Sequence, residues 1–219
     1  MSTVLPRSEP SSQLLDTGAI AILRASTDRH VLPAAMALAE AGIACLEITL
    51  TVPGAVRTLR ALVDELAPQV AVGAGTVTTA AEAEEAVAAG ASFLVSPALC
   101  PEVVACARER ALGCYPGAWT PTEVLAAWRS GATAVKLFPA ATGGAAYLRR
   151  LRDPLPDIPI VPTGGIGIEQ VGDYLRAGAL AVGMGAPLLG DALDGGDLGG
   201  LRARARRVLD AVAAARSVG

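Results

Sequence analysis

The chain is poor in the side chains on which many functions depend. Aromatic residues make up 3% of its 219 positions, histidine occurs once, and the formal net charge is −3. A nucleic-acid surface needs a basic stripe with interleaved aromatics, and an acidic balance opposes a phosphate backbone, so no nucleic-acid partner is expected. Arg202, Arg204, Arg206 and Arg207 do cluster near the C-terminus, but on a last helix such a run reads as a solvated face. The four cysteines, Cys45, Cys100, Cys106 and Cys114, form no C-x-x-C pair, and His30 alone cannot complete a zinc-ligand spacing. They read as buried reduced thiols, with no metal. The N-terminal MSTVLPRSEPSSQLLDTG lacks a positively charged start followed by an apolar block, and no apolar run approaches a membrane span. A cytoplasmic enzyme or binding protein without a membrane partner is therefore expected.

The scarcest charged residue is lysine. Of the 18 basic residues, 17 are arginine and Lys136 stands alone, inside the apolar stretch AVKLFPA at 134–140. An exposed solubilising charge can be arginine, as it is everywhere else here. Only an amine can be deprotonated by desolvation and attack a carbonyl. Lys136 is a nucleophile candidate before any fold is assigned.

What the chain does have is apolar content, 52% hydrophobic against 18% charged, which describes a large buried fraction rather than a disordered chain. The apolar residues fall into repeated blocks: AIAILRA, CLEITL, AVGAGTV, FLVSPA, GCYPGA, AVKLFPA, IPIVPTGG and AVGMGAPL. None alternates with period two, as expected for parallel strands buried on both faces. Between them lie segments of helical spacing such as VLPAAMALAEAG, AAEAEEAVAAG and PTEVLAAWRSG, many ending in a glycine suited to a helix C-terminus. The pattern predicts a single (β/α)8 TIM barrel spanning residues 1–219, with 1–17 as a short N-terminal helical extension. A doubly wound open sheet gives the same alternation, but its G-x-G-x-x-G loop is missing from AILRASTD after the first strand. The Gly-rich DGGDLGG at 194–200 reads as a plain linker into the last helix.

Chemistry in such a barrel belongs at the C-terminal ends of strands. The polar residues placed there are Arg24, Glu47 with Thr49 and Thr51, Thr76, Ser96 beside Pro97, Lys136 with Phe138, and Thr163 to Gly165. A carboxylate inside CLEITL is costly unless paired. Glu47 and Lys136 can therefore form a structural salt bridge, or a Schiff-base lysine with an adjacent general acid and base. PTGGI, at the end of the seventh strand, can be a tight turn or a phosphate loop.

In order and spacing these motifs resemble the class I aldolases acting on 2-keto-3-deoxy-6-phosphogluconate and 4-hydroxy-2-oxoglutarate, from AILRA to VGMGAPLL. The resemblance implies Glu47 in LEITL as general acid and base, and Lys136 in VKLFPA as Schiff-base nucleophile. It further implies a substrate-binding Thr76 in GAGTV, Pro97 in VSPAL, Phe138 lining the pocket, and phosphate binding by Gly164 and Gly165 in PTGGI, with Thr163 and, in GMGAP, Gly185 and Ala186 as further substrate-binding candidates. A homotrimer, no cofactor, a keto-acid substrate and pyruvate as one product follow from the same likeness. Two positions depart from the family pattern. Thr51 stands where an arginine usually helps hold the substrate carboxylate, and Ala186 replaces the phosphate-binding serine. A threonine cannot reproduce a bidentate guanidinium clamp, so Arg24 is a candidate replacement for the charge. A 2-keto-3-deoxy-6-phosphogalactonate substrate or a non-phosphorylated 2-keto acid stays open alongside the phosphogluconate. A sugar-phosphate isomerase using Glu47 as base, and a catalytically silent metabolite-binding barrel, are the competing classes.

Overall fold

The computed structural model describes residues 7–217; the first six residues of the expected N-terminal extension and the last two of the chain lie outside them. Among the described residues there are nine short strands: β1 (Ala19–Leu23), β2 (Cys45–Thr49), β3 (Ala71–Gly75), β4 (Phe93–Val95), β5 (Gly113–Tyr115), β6 (Gly117–Ala118), β7 (Val135–Leu137), β8 (Ile160–Pro162) and β9 (Val182–Met184). Every pairing between them is parallel. They form a six-stranded sheet ordered β5-β4-β3-β2-β1-β9 and a three-stranded sheet ordered β6-β7-β8. The sequence block GCYPGA was expected to be one strand, and Pro116, which has no N–H for a ladder, divides it into β5 and β6. A bridge between Thr163 and Gly183 joins the β8 end of the smaller sheet to β9.

Helices follow the strands: α1 (Ser12–Thr17), α2 (Val31–Glu40), α3 (Ala55–Leu66), α4 (Ala80–Ala88), α5 (Pro101–Glu109), α6 (Pro121–Ser130), α7 (Gly144–Arg152), α8 (Val171–Arg176), α9 (Ala186–Leu189) and α10 (Leu198–Arg216). The glycine stops sit where the sequence places them. Gly131 caps α6 at φ 106°, and Gly42 follows the end of α2 at φ 102°, the left-handed backbone that a side chain disfavours. The last three residues of DGGDLGG are already helix, because Asp197 accepts from the N–H of Gly199 and starts α10 one residue later.

The core has two layers, and the strands alternate between them. Leu46, Ile48, Val135, Leu137, Val182 and Met184 pack outward with the helices. Their neighbours Cys45, Ala134 and Ala181 point inward, joined by Ile20, Phe93 and Tyr115. Both faces are apolar, which is why the sequence shows no period of two. The inward parity of β2 carries on to Glu47 and Thr49, that of β1 to Arg24, and that of β7 to Lys136. Leu14 of α1, fully buried, closes the inner cluster at the N-terminal ends of the strands.

The structure refines two sequence expectations. The arginine face of α10 is solvated as expected, with Arg206 and Arg207 exposed, and it carries surface contacts besides: Arg202 pairs with Glu40 at 2.7 Å, Arg207 with Glu169 at 3.0 Å, and Arg204 donates to the carbonyls of Leu188 and Leu189. Arg204 thereby satisfies the open end of α9. All four cysteines are free thiols, but Cys100 is only half-buried. Among the described residues, no helix is long and apolar enough to cross a membrane.

Candidate active site

Glu47 and Lys136 meet inside the fold. Glu47 is 2% exposed and Lys136 7%, and Lys136 Nζ lies 4.0 Å from Glu47 Oε1. The register explains the approach. On β2, Glu47 stands opposite Ile22 of β1 and Gly73 of β3, while Lys136 of β7 stands between Gly117 and Val161. Four flanking positions therefore carry two glycines and two aliphatics, leaving the two charges to face each other. Oε1 of Glu47 makes no hydrogen bond. A buried carboxylate oxygen without a donor is costly, so the pair is not a fully satisfied structural salt bridge. The ring of Phe138, 40% exposed, has its centroid 5.4 Å from Lys136 Nζ.

Glycine makes the room. A Cβ on Gly75 would overlap Oε1, Cδ and Cγ of Glu47, and one on Gly73 would overlap the ring of Phe93. On the far side, a Cβ on Gly117 would strike the carbonyl of Pro97, and one on Gly183 the side chain of Thr163. Thr163, buried, donates to the carbonyl of Val161 at 3.3 Å. Sequence reasoning singled out neither Gly73 nor Gly75; glycines in the interior of an otherwise apolar strand were the available signal.

Above the pair, at the C-terminal ends of β1 to β3, Arg24 is bracketed by hydroxyls. Its guanidinium donates to Thr51 Oγ1 at 3.1 Å and Thr76 Oγ1 at 3.0 Å, and Thr49 Oγ1 lies 3.0 Å from Thr51 Oγ1. Thr76 holds a φ of 58° to do this, a strained backbone of the kind found at functional sites. Thr51 therefore stands beside Arg24 as its partner. Arg24 also lines a cavity of about 390 Å³ with Ile22, Ser26, Gly185, Ala186 and Asp194. Ser26 carries no signal in the sequence and Asp194 reads there as linker, since only their folded position brings them to Gly185 and Ala186. Pro97 and Phe138 border a different hollow of about 380 Å³, shared with Trp119 and Glu123. The glycines of PTGGI lie against the segment after Lys136: the Ala141 N–H donates to the carbonyl of Gly164 at 3.0 Å, and a Cβ on Gly164 would press on the Phe138 ring. The helix expected straight after PTGGI begins as a 3-10 turn at Ile168–Gln170 before α8.

Parallel strands followed by helices, with a buried amine and a buried carboxylate facing each other below the C-terminal strand ends, define the class as TIM-barrel-like α/β enzymes. Within it, residues 11–201 match the family described as KDPG and KHG aldolase, and the chain belongs to that family. Its members are carbon–carbon lyases. The 2-dehydro-3-deoxy-phosphogluconate aldolase of Dickeya dadantii is 36% identical over 91% of this chain and 94% of its own. A probable 2-dehydro-3-deoxy-6-phosphogalactonate aldolase of Rhizobium meliloti is 34% identical over 82% of this chain and 85% of its own. The KDPG aldolase of Legionella pneumophila, solved with pyruvate captured as a covalent carbinolamine, superposes with a TM-score of 0.82 at 28% identity, covering 90% of this chain and 96% of that one.

Proposed function

We propose that the protein is a class I aldolase cleaving a 2-keto-3-deoxy sugar acid to pyruvate and an aldehyde, with 2-keto-3-deoxy-6-phosphogluconate or 4-hydroxy-2-oxoglutarate as substrate. The observation that carries the reading is the 4.0 Å approach of Lys136 Nζ to an otherwise unpartnered, buried Glu47 Oε1. Lys136 adds to the C2 ketone, the carbinolamine loses water, and the iminium becomes the electron sink. Glu47 takes the C4 hydroxyl proton as the C3–C4 bond breaks, which frees the aldehyde and leaves an enamine. It then returns a proton to C3, and water releases pyruvate from Lys136. The carbinolamine named for the Legionella relative supports a covalent lysine here.

In this reading Arg24, held by Thr51 and Thr76, receives the substrate carboxylate, and Phe138 and Pro97 border the pyruvate half. Thr163, Gly164, Gly165, Gly185 and Ala186 face the distal end. The threonine at 51 and the Rhizobium relative favour the phosphogalactonate as a second substrate. We also read the two sheets as one closed (β/α)8 barrel with α1 as its N-terminal extension, supported by the Thr163 to Gly183 bridge and the single residue, Pro116, between β5 and β6. A cytoplasmic homotrimer belongs to the same proposal, by likeness to the family.

Borohydride reduction with excess pyruvate, followed by intact-mass and peptide analysis, tests the chemistry. One reduced adduct on Lys136 is the expected result. A folded protein that gives none is no class I aldolase, and the isomerase or silent-barrel reading takes its place.

A further inference from the structure

We infer that Gly75 is a positioning residue for catalysis, the notch across which the Glu47 carboxylate reaches the level of Lys136. The inference rests on the proposal that Glu47 moves the protons, and it concerns what holds that carboxylate in place.

Glycine inside a strand weakens it, because it loses more backbone freedom on folding and packs nothing. The backbone does not ask for glycine at position 75, since its φ lies outside the left-handed region. It is buried in a regular ladder, opposite Thr49, and its carbonyl accepts from the N–H of Leu50 at 2.8 Å. What excludes a side chain is Glu47. The three atoms nearest an added Cβ are Oε1, Cδ and Cγ of that residue. Glu47 itself stands opposite Gly73, one inward position earlier. Its side chain therefore leans along the strands toward their C-terminal ends, and its carboxylate occupies the space a residue-75 methyl would fill. The other inward glycines differ: Gly73 clears a phenyl ring, Gly117 a backbone carbonyl, and Gly183 a threonine. Only at Gly75, of these four, is the neighbour a carboxylate. An alanine there leaves Lys136 untouched and drives the carboxylate to another rotamer.

Pyruvate alone separates the two roles. Imine formation at Lys136 is trapped by borohydride; exchange of the pyruvate C3 protons in deuterium oxide, followed by proton NMR, needs the base that makes and unmakes the enamine. For Gly75→Ala the adduct on Lys136 should remain while exchange falls at least about 100-fold, the scale of a displaced general base. Glu47→Ala removes Oε1, Cδ and Cγ, the three atoms the added methyl would meet. In that background the same Gly75→Ala change should alter exchange by less than about threefold, the signature of two coupled positions. An equal loss in both backgrounds, or unchanged exchange in Gly75→Ala, overturns the inference. Should Gly75→Ala fail to fold, the double variant decides: its folding points to the clash with Glu47, and its misfolding overturns it. Absence of an adduct in the unaltered protein sinks the aldolase reading itself, a distinct outcome from an adduct with undisturbed exchange.

Discussion

The lower half of the interior is the apolar cluster closed by Leu14, which joins Ile20, Cys45 and Ala71 at the N-terminal ends of β1 to β3 to the rings of Phe93 and Tyr115 from β4 and β5. Glu47 lies two residues beyond Cys45, and Lys136 two beyond Ala134 of the same cluster. The lower half is satisfied: the rings of Phe93 and Tyr115 meet edge to face at 5.6 Å between centroids, a favourable aromatic geometry. Burial pushes the thiol of Cys45 and the phenol of Tyr115 well above their ordinary ranges, so neither ionises near neutrality. The upper half leaves a carboxylate oxygen without a donor and a threonine at positive φ. One half supplies cohesion and the other tolerates unsatisfied groups, which are held because the cohesive half is rigid.

That division predicts opposite signatures for changes at the two ends. Leu14→Ala removes a fully buried side chain from the closed end and should lower stability by about 2–5 kcal/mol, read as a fall in Tm. The KM of the folded fraction should not move; a rise in KM as large as that of a mouth variant would show that the halves are not separable. Arg24→Leu is the reverse case. Loss of a hydrogen bond to a charged group is worth about 1.5–3 kcal/mol, so KM for the keto acid should rise by about 10- to 100-fold. Arg24 is exposed and its partners are two hydroxyls, so stability should change by no more than about 0.5 kcal/mol. An unchanged KM would remove Arg24 from the carboxylate site.

The sequence made the strand and helix order legible because strands buried on both faces appear as uninterrupted apolar blocks. The same property concealed which residues face inward, and only the charged exceptions, Glu47 and Lys136, betrayed the parity. Lys136 stood out by its rarity and Glu47 by its cost of burial. The relation of Thr51 to Arg24 was not readable, since it joins hydroxyl and guanidinium across β1, β2 and β3. Gly75 was silent for a different reason: a residue without a side chain shows its purpose only through the atoms that occupy its space. The α10 arginines read correctly as a solvated face, but their partners were not legible, because they are remote in sequence, Glu40 lying 162 residues from Arg202.

The smallest effect expected concerns the turns that carry the mouth. Thr79 begins α4, three residues after the strained Thr76, with a reciprocal cap: its hydroxyl accepts from the Glu82 N–H at 3.2 Å, and Glu82 Oε2 accepts from the N–H groups of Thr78 at 2.7 Å and Thr79 at 3.1 Å. Thr120 and Glu123 repeat the arrangement at the start of α6. Backbone N–H donors, that of Thr78 foremost for Glu82 and that of Thr120 for Glu123, hold both carboxyls below the usual range. A folded pKa below the unfolded value means that the stabilisation is complete above about pH 4.3, the unfolded value, and is lost as pH falls through the folded one. Thr79→Ala should cost about 1 kcal/mol near neutrality. Glu82→Gln keeps an acceptor that does not titrate, so its deficit relative to the unaltered protein should shrink between about pH 7 and about pH 3 in urea titrations. A deficit that stays constant over that range would mean that the charge of Glu82 contributes nothing, and that the cap holds the loop after Thr76 by hydrogen-bond geometry alone.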